Sequence, residues 1–278
     1  MVWPDDGPMR VQVAPGQSVV VHEIGAGPPI CCIPGLGADH TAFARNLGDL
    51  AARHRCLVVD QRGIGASDPV EGALSMAELA DDMARVIAER GGGRADVFGV
   101  SMGGMVAQHL ALRHPHRVRR LVLGCTGPGG PRAVRADPEV TRALLGGDAR
   151  DPVTAYRRAC QVMYSDSFQR AHPEVVEAAV AWRAQHLVRG PTFRAQWAAI
   201  RGHDTGGDLA RITAPTLVLH GDRDRVMPPG NASVLASQIP GAQLTWFPGA
   251  GHLFFQEDPL ATDRVLARWL GDPEGPGG

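Results

Sequence analysis

"DVFGVSMGGMV", residues 96–106, sets Ser101 between Gly99 and Gly103 where one type of pattern gives way to another. The apolar run ending at Val100 has the length and composition of a buried strand, and "GGMVAQHLAL" after it opens a helix. A chance G-x-S-x-G is expected roughly 0.1 times in a chain with this glycine and serine content. Glycines on both sides let the backbone turn sharply without a Cβ collision. Such a turn lifts the serine Oγ clear of the sheet and points the Met102 N–H at whatever binds there. A structural turn would look the same locally, so the remaining residues must decide.

Around this stretch, strand and helix signals alternate. "VQVAP" and "QSVVVHEIG" read as an opening hairpin, and "PPICCIPG" as a short apolar strand. "ADHTAFARNLGDLAARH" reads as one helix, with Phe43, Leu47 and Leu50 on a face. "RCLVVDQRG" is the next strand. "SMAELADDMARVIAERG" is a helix with a Ser75–Glu78 capping box and Gly91 as its C′ stop. After Ser101 come a helix and the strand "VRRLVLGCT". Alternation of this kind builds βαβ units and a parallel sheet. From 127 to 211 the pattern is helical, with starts near Asp137, Asp151, Pro173 and Pro191. Strand "PTLVLHG", helix "NASVLASQIPG", strand "QLTWFPG" and helix "DPLATDRVLARWL" follow. The reading is an α/β core of residues 1–126 and 212–270, a helical cap of 127–211, and a disordered tail, 271–278. Connections at the carboxyl ends of parallel strands border the ligand crevice, so the insertion is expected to act as a lid.

The bulk properties narrow the class. A chain of 278 residues, 44% hydrophobic and 21% charged, has the balance of a globular protein with a large core. A net charge of −1 and a pI near 6.8 give no nucleic-acid footprint. Cys31, Cys32, Cys56, Cys125 and Cys160 are odd in number and lack a C-x-x-C pair, which argues against disulfides and a zinc site. Buried thiols in a reducing compartment are expected. "MVWPDDGPMR" lacks a signal peptide's apolar region, and no run is long enough for a membrane span. A cytoplasmic location is therefore the expectation.

A serine hydroxyl needs a base. His252, in "PGAGHLFFQEDP", follows the last strand in a glycine-rich loop that reaches over the carboxyl edge of the sheet. His40, His186 and His203 lie where they can line a site, and His109 reads as helix packing. The base needs an acid to fix its tautomer. "LVLHGDRDRVMPP" offers Asp222 and Asp224. Aspartate also holds turns, and the deeper position of Asp224 favours it as the acid. No acid directly follows the strand "RRLVLGCT". The order Ser…Asp…His is that of hydrolases with a strand–serine–helix turn. Acyl transfer also needs donors for an oxyanion. "IPGLGADH" supplies a glycine-rich loop in which the Leu36 N–H can pair with that of Met102.

These stretches together resemble the α/β-hydrolase superfamily, in its capped serine esterase and lactonase-like branch, from about Val19 to Leu270. The resemblance rests on "IPGLGADHTAF", "VVDQRGIGASD", "GVSMGGMVA", "PTLVLHGDRDRVMP" and "PGAGHLFFQEDP". It implies a mostly parallel eight-stranded sheet flanked by helices, with the cap after the sixth strand. It also selects Asp224 and makes Asp60, Arg62, Gly63, Gly65 and Ser67 a structural loop. One departure concerns Pro34-Gly35, where the family commonly has His-Gly. Proline has no side-chain donor, so the contacts that a histidine would make to this loop are absent.

The expected activity is hydrolysis of a carboxylic ester or lactone of a small, largely apolar substrate by Ser101, Asp224 and His252, with Leu36 and Met102 at the oxyanion. Gly35, His40, Met163, Tyr164, Trp182 and Trp197 are the candidate substrate contacts. No metal or cofactor is expected, and the partner is a small molecule, with no nucleic acid or membrane; a homodimer stays open. The same triad serves thioesterases, C–C bond hydrolases, cofactor-free perhydrolases or haloperoxidases, and lyases or cyclases. A dehalogenase would need a carboxylate at 101. A ligand-binding receptor with little turnover is the reading from another class.

Overall fold

The computed structural model describes residues 7–70 and 72–271. The expected disordered tail, apart from Gly271, and the first six residues of the N-terminal stretch lie outside them. Strands β1 (Met9–Ala14) and β2 (Gln17–Ile24) form the opening antiparallel hairpin. β2 then pairs antiparallel with β4 (Arg55–Asp60). From there the sheet is parallel through β3 (Pro29–Ile33), β5 (Ala95–Val100), β6 (Val118–Gly124), β7 (Thr216–Gly221) and β8 (Gln243–Phe247). The spatial order is β1-β2-β4-β3-β5-β6-β7-β8. β3 and β5 lie at the centre, which brings the loops after both to the same edge.

Successive residues of a strand face opposite sides of the sheet, so the central strands are apolar throughout. On β5, Val97 enters one core and Phe98 the other. The first core packs α2 (Met76–Arg90), α3 (Met102–Arg113) and α9 (Gly230–Gln238) through Met83, Leu110 and Leu235. The second packs α1 (Leu47–Ala51) and α11 (Pro259–Leu270) through Leu47 and Leu266. Each fully buried Val, Leu or Phe contributes about 1.5–3 kcal/mol relative to exposure, which makes the central sheet a rigid base for its loops.

Between β6 and β7 lie five helices, α4 (Pro138–Leu144), α5 (Pro152–Met163), α6 (Asp166–Ala171), α7 (Pro173–Gln185) and α8 (Gly190–Arg201). Cys160, Tyr164, Phe168 and Val180 form a small apolar cluster of their own there. Ser165 caps α6, a separate turn of helix that periodicity did not resolve. α10 (Phe254–Glu257) is a further short helix beyond the sequence reading. No helix among the described residues is long and apolar enough to cross a membrane.

Two local expectations need correction. The helix expected from Ala38 onwards is a 3-10 turn, His40–Phe43, followed by the five-residue α1. Bonds from Ala44 N–H to Thr41 O and from Asn46 N–H to Phe43 O tighten the chain, and the buried Asn46 amide turns aside to the Phe255 carbonyl. Ser75 caps α2, with Glu78 N–H donating to Ser75 Oγ at 3.2 Å, and the Glu78 carboxylate is engaged by the Ser75 hydroxyl, which donates to Oε2 at 2.8 Å. Gly91, however, has φ −91°, and the left-handed residue that ends the helix is Gly92.

Candidate active site

Ser101 sits at the carboxyl end of β5 with φ 55° and ψ −121°, a conformation L residues rarely adopt. Strain of this kind costs about 1–3 kcal/mol and needs support from its surroundings. Ser101 N–H donates to Gly124 O at 2.8 Å, and Thr126 Oγ1 donates to Ser101 O at 2.8 Å. The flanking glycines are sterically required. A Cβ on Gly99 would lie 2.3 Å from Gly103 O, and one on Gly103 would lie 2.0 Å from Ile33 O. Helix α3 therefore begins directly against the loop that follows β3.

The loop after β8 brings His252 Nε2 to 3.0 Å from Ser101 Oγ. On the other side of the ring, His252 Nδ1 lies 2.8 Å from Asp224 Oδ2. A proton on Nδ1 directed at the carboxylate leaves the Nε2 lone pair facing the serine hydroxyl. Asp222, the other sequence candidate, is half exposed and accepts from Gly249 N–H at 2.7 Å, so it holds the turn. Asp224 is fully enclosed and receives four donors. Val226 and Met227 N–H approach Oδ1 at 2.9 and 2.8 Å, and His252 and His220 share Oδ2. Burial pulls its pKa up, but the two histidines outweigh that and hold it at about 2.

His220 is the residue that the sequence reading passed over. It is wholly buried on β7, with Nε2 3.2 Å from Asp224 Oδ2 and 2.7 Å from Met227 O. Its Nδ1 is buried with no partner. The signal was a histidine inside the apolar strand "TLVLHG", where an imidazole must have something to bond.

The loop after β3 carries Gly35, whose Cβ position is 3.2 Å from Ser101 Cβ. Its Leu36 N–H, like the Met102 N–H at the start of α3, donates to no acceptor among the described residues. Two free N–H groups flanking the serine are what an oxyanion requires.

Helices α5 and α8 and the segments beside them touch both loops. Met163 O accepts from Leu253 N–H at 3.0 Å, next to His252. A Cβ on Gly37 would meet Phe193 at 3.4 Å and Val188 at 3.6 Å. The other sequence candidates occupy different surroundings. Tyr164 is buried, stacked on Phe168, and donates its hydroxyl to Gln256 Oε1 at 2.6 Å. Trp182 stands 42% exposed and stacks on His186, while Trp197 is half-buried on α8. His203 bonds Gly127 O and His109, and burial lowers its pKa to about 4.

His40 turns to Asp60 instead, with Nδ1 at 3.1 Å, and its ring stacks on His22 at 3.5 Å. His22 Nε2 also reaches Asp60, at 3.1 Å. Burial favours the neutral acid, and the two histidines overcome it, holding Asp60 at about 2. Donor atoms of His22, His40 and Asp60 lie within 4.8 Å of one another, a spacing that a metal ion can bridge. Ser67 Oγ donates to Asp60 O at 2.6 Å and accepts from Val20 N–H, tying this loop to β2.

A strand–serine–helix turn, a histidine and an aspartate on successive strand-end loops, and this sheet order define a hydrolase fold. A family model described as the alpha/beta hydrolase fold matches residues 28–259, and the chain belongs to that family. It is 34% identical over 263 residues to the 2-hydroxy-6-oxononadienedioate/2-hydroxy-6-oxononatrienedioate hydrolase of Cupriavidus pinatubonensis, covering 90% of each chain. It is 30% identical to the pimeloyl-[acyl-carrier protein] methyl ester esterase of Nitrosomonas europaea, over 87% of this chain and 95% of that one. Among solved structures, a thermophilic esterase from Thermogutta terrifontis superposes with a TM-score of 0.79 at 28% identity, over 95% of this chain and 98% of that one. The protein is accordingly an enzyme of the hydrolase class.

Proposed function

We propose that the enzyme cleaves a carboxylic ester or lactone of a small, largely apolar substrate through an acyl-enzyme on Ser101. The observation that carries this reading is the continuous chain from Ser101 Oγ through His252 to Asp224, at 3.0 and 2.8 Å. His252 Nε2 takes the Oγ proton as Oγ attacks the carbonyl carbon. The carbonyl electron pair moves to oxygen, where the Leu36 and Met102 N–H groups receive it. Collapse expels the alkoxide, which takes the proton from His252. Water then repeats the sequence with His252 as base, releasing the acid and restoring Ser101. Asp224 keeps the imidazole in the right tautomer throughout. Apolar Val188 and Phe193 against the Gly37 loop support an apolar substrate. An esterase and a methyl ester esterase among the similar proteins support the ester.

The test is a fluorophosphonate probe with mapping of the adduct, followed by esters, lactones, thioesters and carbon–carbon-linked 1,5-diketones as substrates. Labelling at Ser101, lost in Ser101→Ala, with turnover of esters or lactones is expected. Labelling with turnover only of the diketones would move the reading to carbon–carbon hydrolysis. A folded protein that takes no label would sink it.

A further inference from the structure

The oxyanion loop lacks a bracing histidine, since Pro34 has neither a side-chain donor nor an N–H. Two buried glutamines hold it instead. Gln61 Nε2 donates to Pro34 O at 2.9 Å, from the loop after β4. Gln196 Oε1 accepts from Gly37 N–H at 2.9 Å, from helix α8. Between these anchors, Ala38 N–H donates to Gly35 O at 3.2 Å, closing a four-residue turn with Gly37 at φ 62°. Leu36 and Gly37 are its central pair. In such a turn, the peptide between the central residues is the one free to flip, and a flip reverses the sign of the Gly37 φ. The acceptor on Gln196 holds that peptide in one state.

Neither glutamine is oriented arbitrarily. A backbone N–H requires the Gln196 oxygen, and a carbonyl requires the Gln61 amide nitrogen. This leaves Gln196 Nε2 and Gln61 Oε1 buried with no partner. Both residues are 0% exposed. An unpaired buried polar atom is costly, and an apolar side chain of the same size on α8 would avoid the cost. Thr192, one turn earlier on α8, packs against Gly63 beside Gln61, so this face of the helix sits squarely on both loops.

We infer that Gln196 is a positioning residue for the oxyanion loop, so that the site for the developing negative charge is complete only while α8 is seated. The inference rests on the serine-hydrolase reading above. Gln196 acts by fixing the Leu36–Gly37 peptide, and so the shape of the turn that carries Leu36, and touches no reacting atom.

The test compares Gln196→Met, which keeps the bulk without the acceptor, and Gln196→Glu, which keeps an acceptor, with wild type on p-nitrophenyl butyrate. A trifluoromethyl ketone, whose hemiketal oxyanion occupies the same place, supplies the second readout. In Gln196→Met, kcat is expected to fall about tenfold or more with KM within about twofold. Inhibition by the ketone should weaken by a similar factor. Gln196→Glu should recover part of both. Wild-type kcat and inhibition in Gln196→Met would overturn the inference. Equal losses in both variants, tracking a common drop in Tm, would also overturn it, because the residue would then be structural only. Failure of the serine-hydrolase reading is distinct, since wild type itself would then take no fluorophosphonate, and the inference would fall with it.

Discussion

His220 and His252 bond the same oxygen of Asp224, at 3.2 and 2.8 Å, one from strand β7 and the other from the loop after β8. With two backbone N–H groups on the other oxygen, every direction from which this carboxylate can be solvated is occupied by protein. Asp224 is therefore fixed in orientation as well as in charge. It can orient His252 without paying the reorganisation that a mobile carboxylate would require.

Asp224→Asn should keep the fold and lose the tautomer. An amide NH2 facing His252 Nδ1 favours the ring with its proton on Nε2, which blocks proton abstraction from Ser101. A fall in kcat of about 10³–10⁴-fold is expected, with a Tm near that of wild type. Steady-state kinetics beside a thermal melt check this, and activity within tenfold of wild type would rule out the role.

His220→Phe should lower kcat roughly 10–100-fold with little change in KM, since a hydrogen bond to a charged group carries about 1.5–3 kcal/mol. It also strips Met227 O of its donor. His220→Gln, which restores a donor in the strand, should regain part of the rate. Were the two variants equally impaired, the contribution of His220 would be packing alone.

Asp263 gives a pH effect on stability. It is buried on α11, and its pKa is raised to about 7 by burial and by the charge of Asp49. The folded state thus binds a proton that the unfolded chain, near its ordinary 3.8, has already released. Between those values the contribution of this group to stability declines as pH rises, and above about 7 the full penalty is present. Asp263→Asn should therefore stabilise the protein at pH ~8, by roughly 2 kcal/mol, and have little effect at pH ~4. Chemical denaturation at the two pH values measures the difference, and equal effects at both would exclude the linkage.

Gly103→Ala tests the contact between α3 and the oxyanion loop. The added methyl group would lie 2.0 Å from Ile33 O and 2.6 Å from Pro34 O, both backbone atoms that cannot rotate away. A stability loss of about 1–3 kcal/mol is expected from the overpacking. Activity measured well below the Tm should fall further than stability does, because the loop that yields is the one that carries Leu36.

The sheet was legible because its strands are apolar on both faces and end in glycines, as "PPICCIPG" and "DVFGVS" do. The placement of Ser101, Asp224 and His252 on strand-end loops was legible for the same reason. The break before α1 was hidden because Asn46 leaves its helix for a partner at Phe255, more than two hundred residues away, and no local pattern records that. Gln196 was hidden because a single glutamine on an amphipathic helix reads as a solvated face. Which side it presents depends on how α8 docks, a matter of tertiary packing. Pro34 marked where a brace was missing, but the two amides that take its place come from distant segments, the loop after β4 and helix α8, that only the folded chain brings together.

All five cysteines are buried and unpaired, and burial pushes the thiols of Cys31, Cys56 and Cys160 to about 12 and those of Cys32 and Cys125 well above the usual range. Thiolate is the species that alkylating dyes attack, so the native chain presents almost none at neutral pH. A single cysteine placed at the exposed Trp182 would be the one fast-reacting thiol in the molecule. Spectroscopic labels can therefore be attached to the helices between β6 and β7 without first removing a native residue, and movement of those helices can be followed while the enzyme turns over.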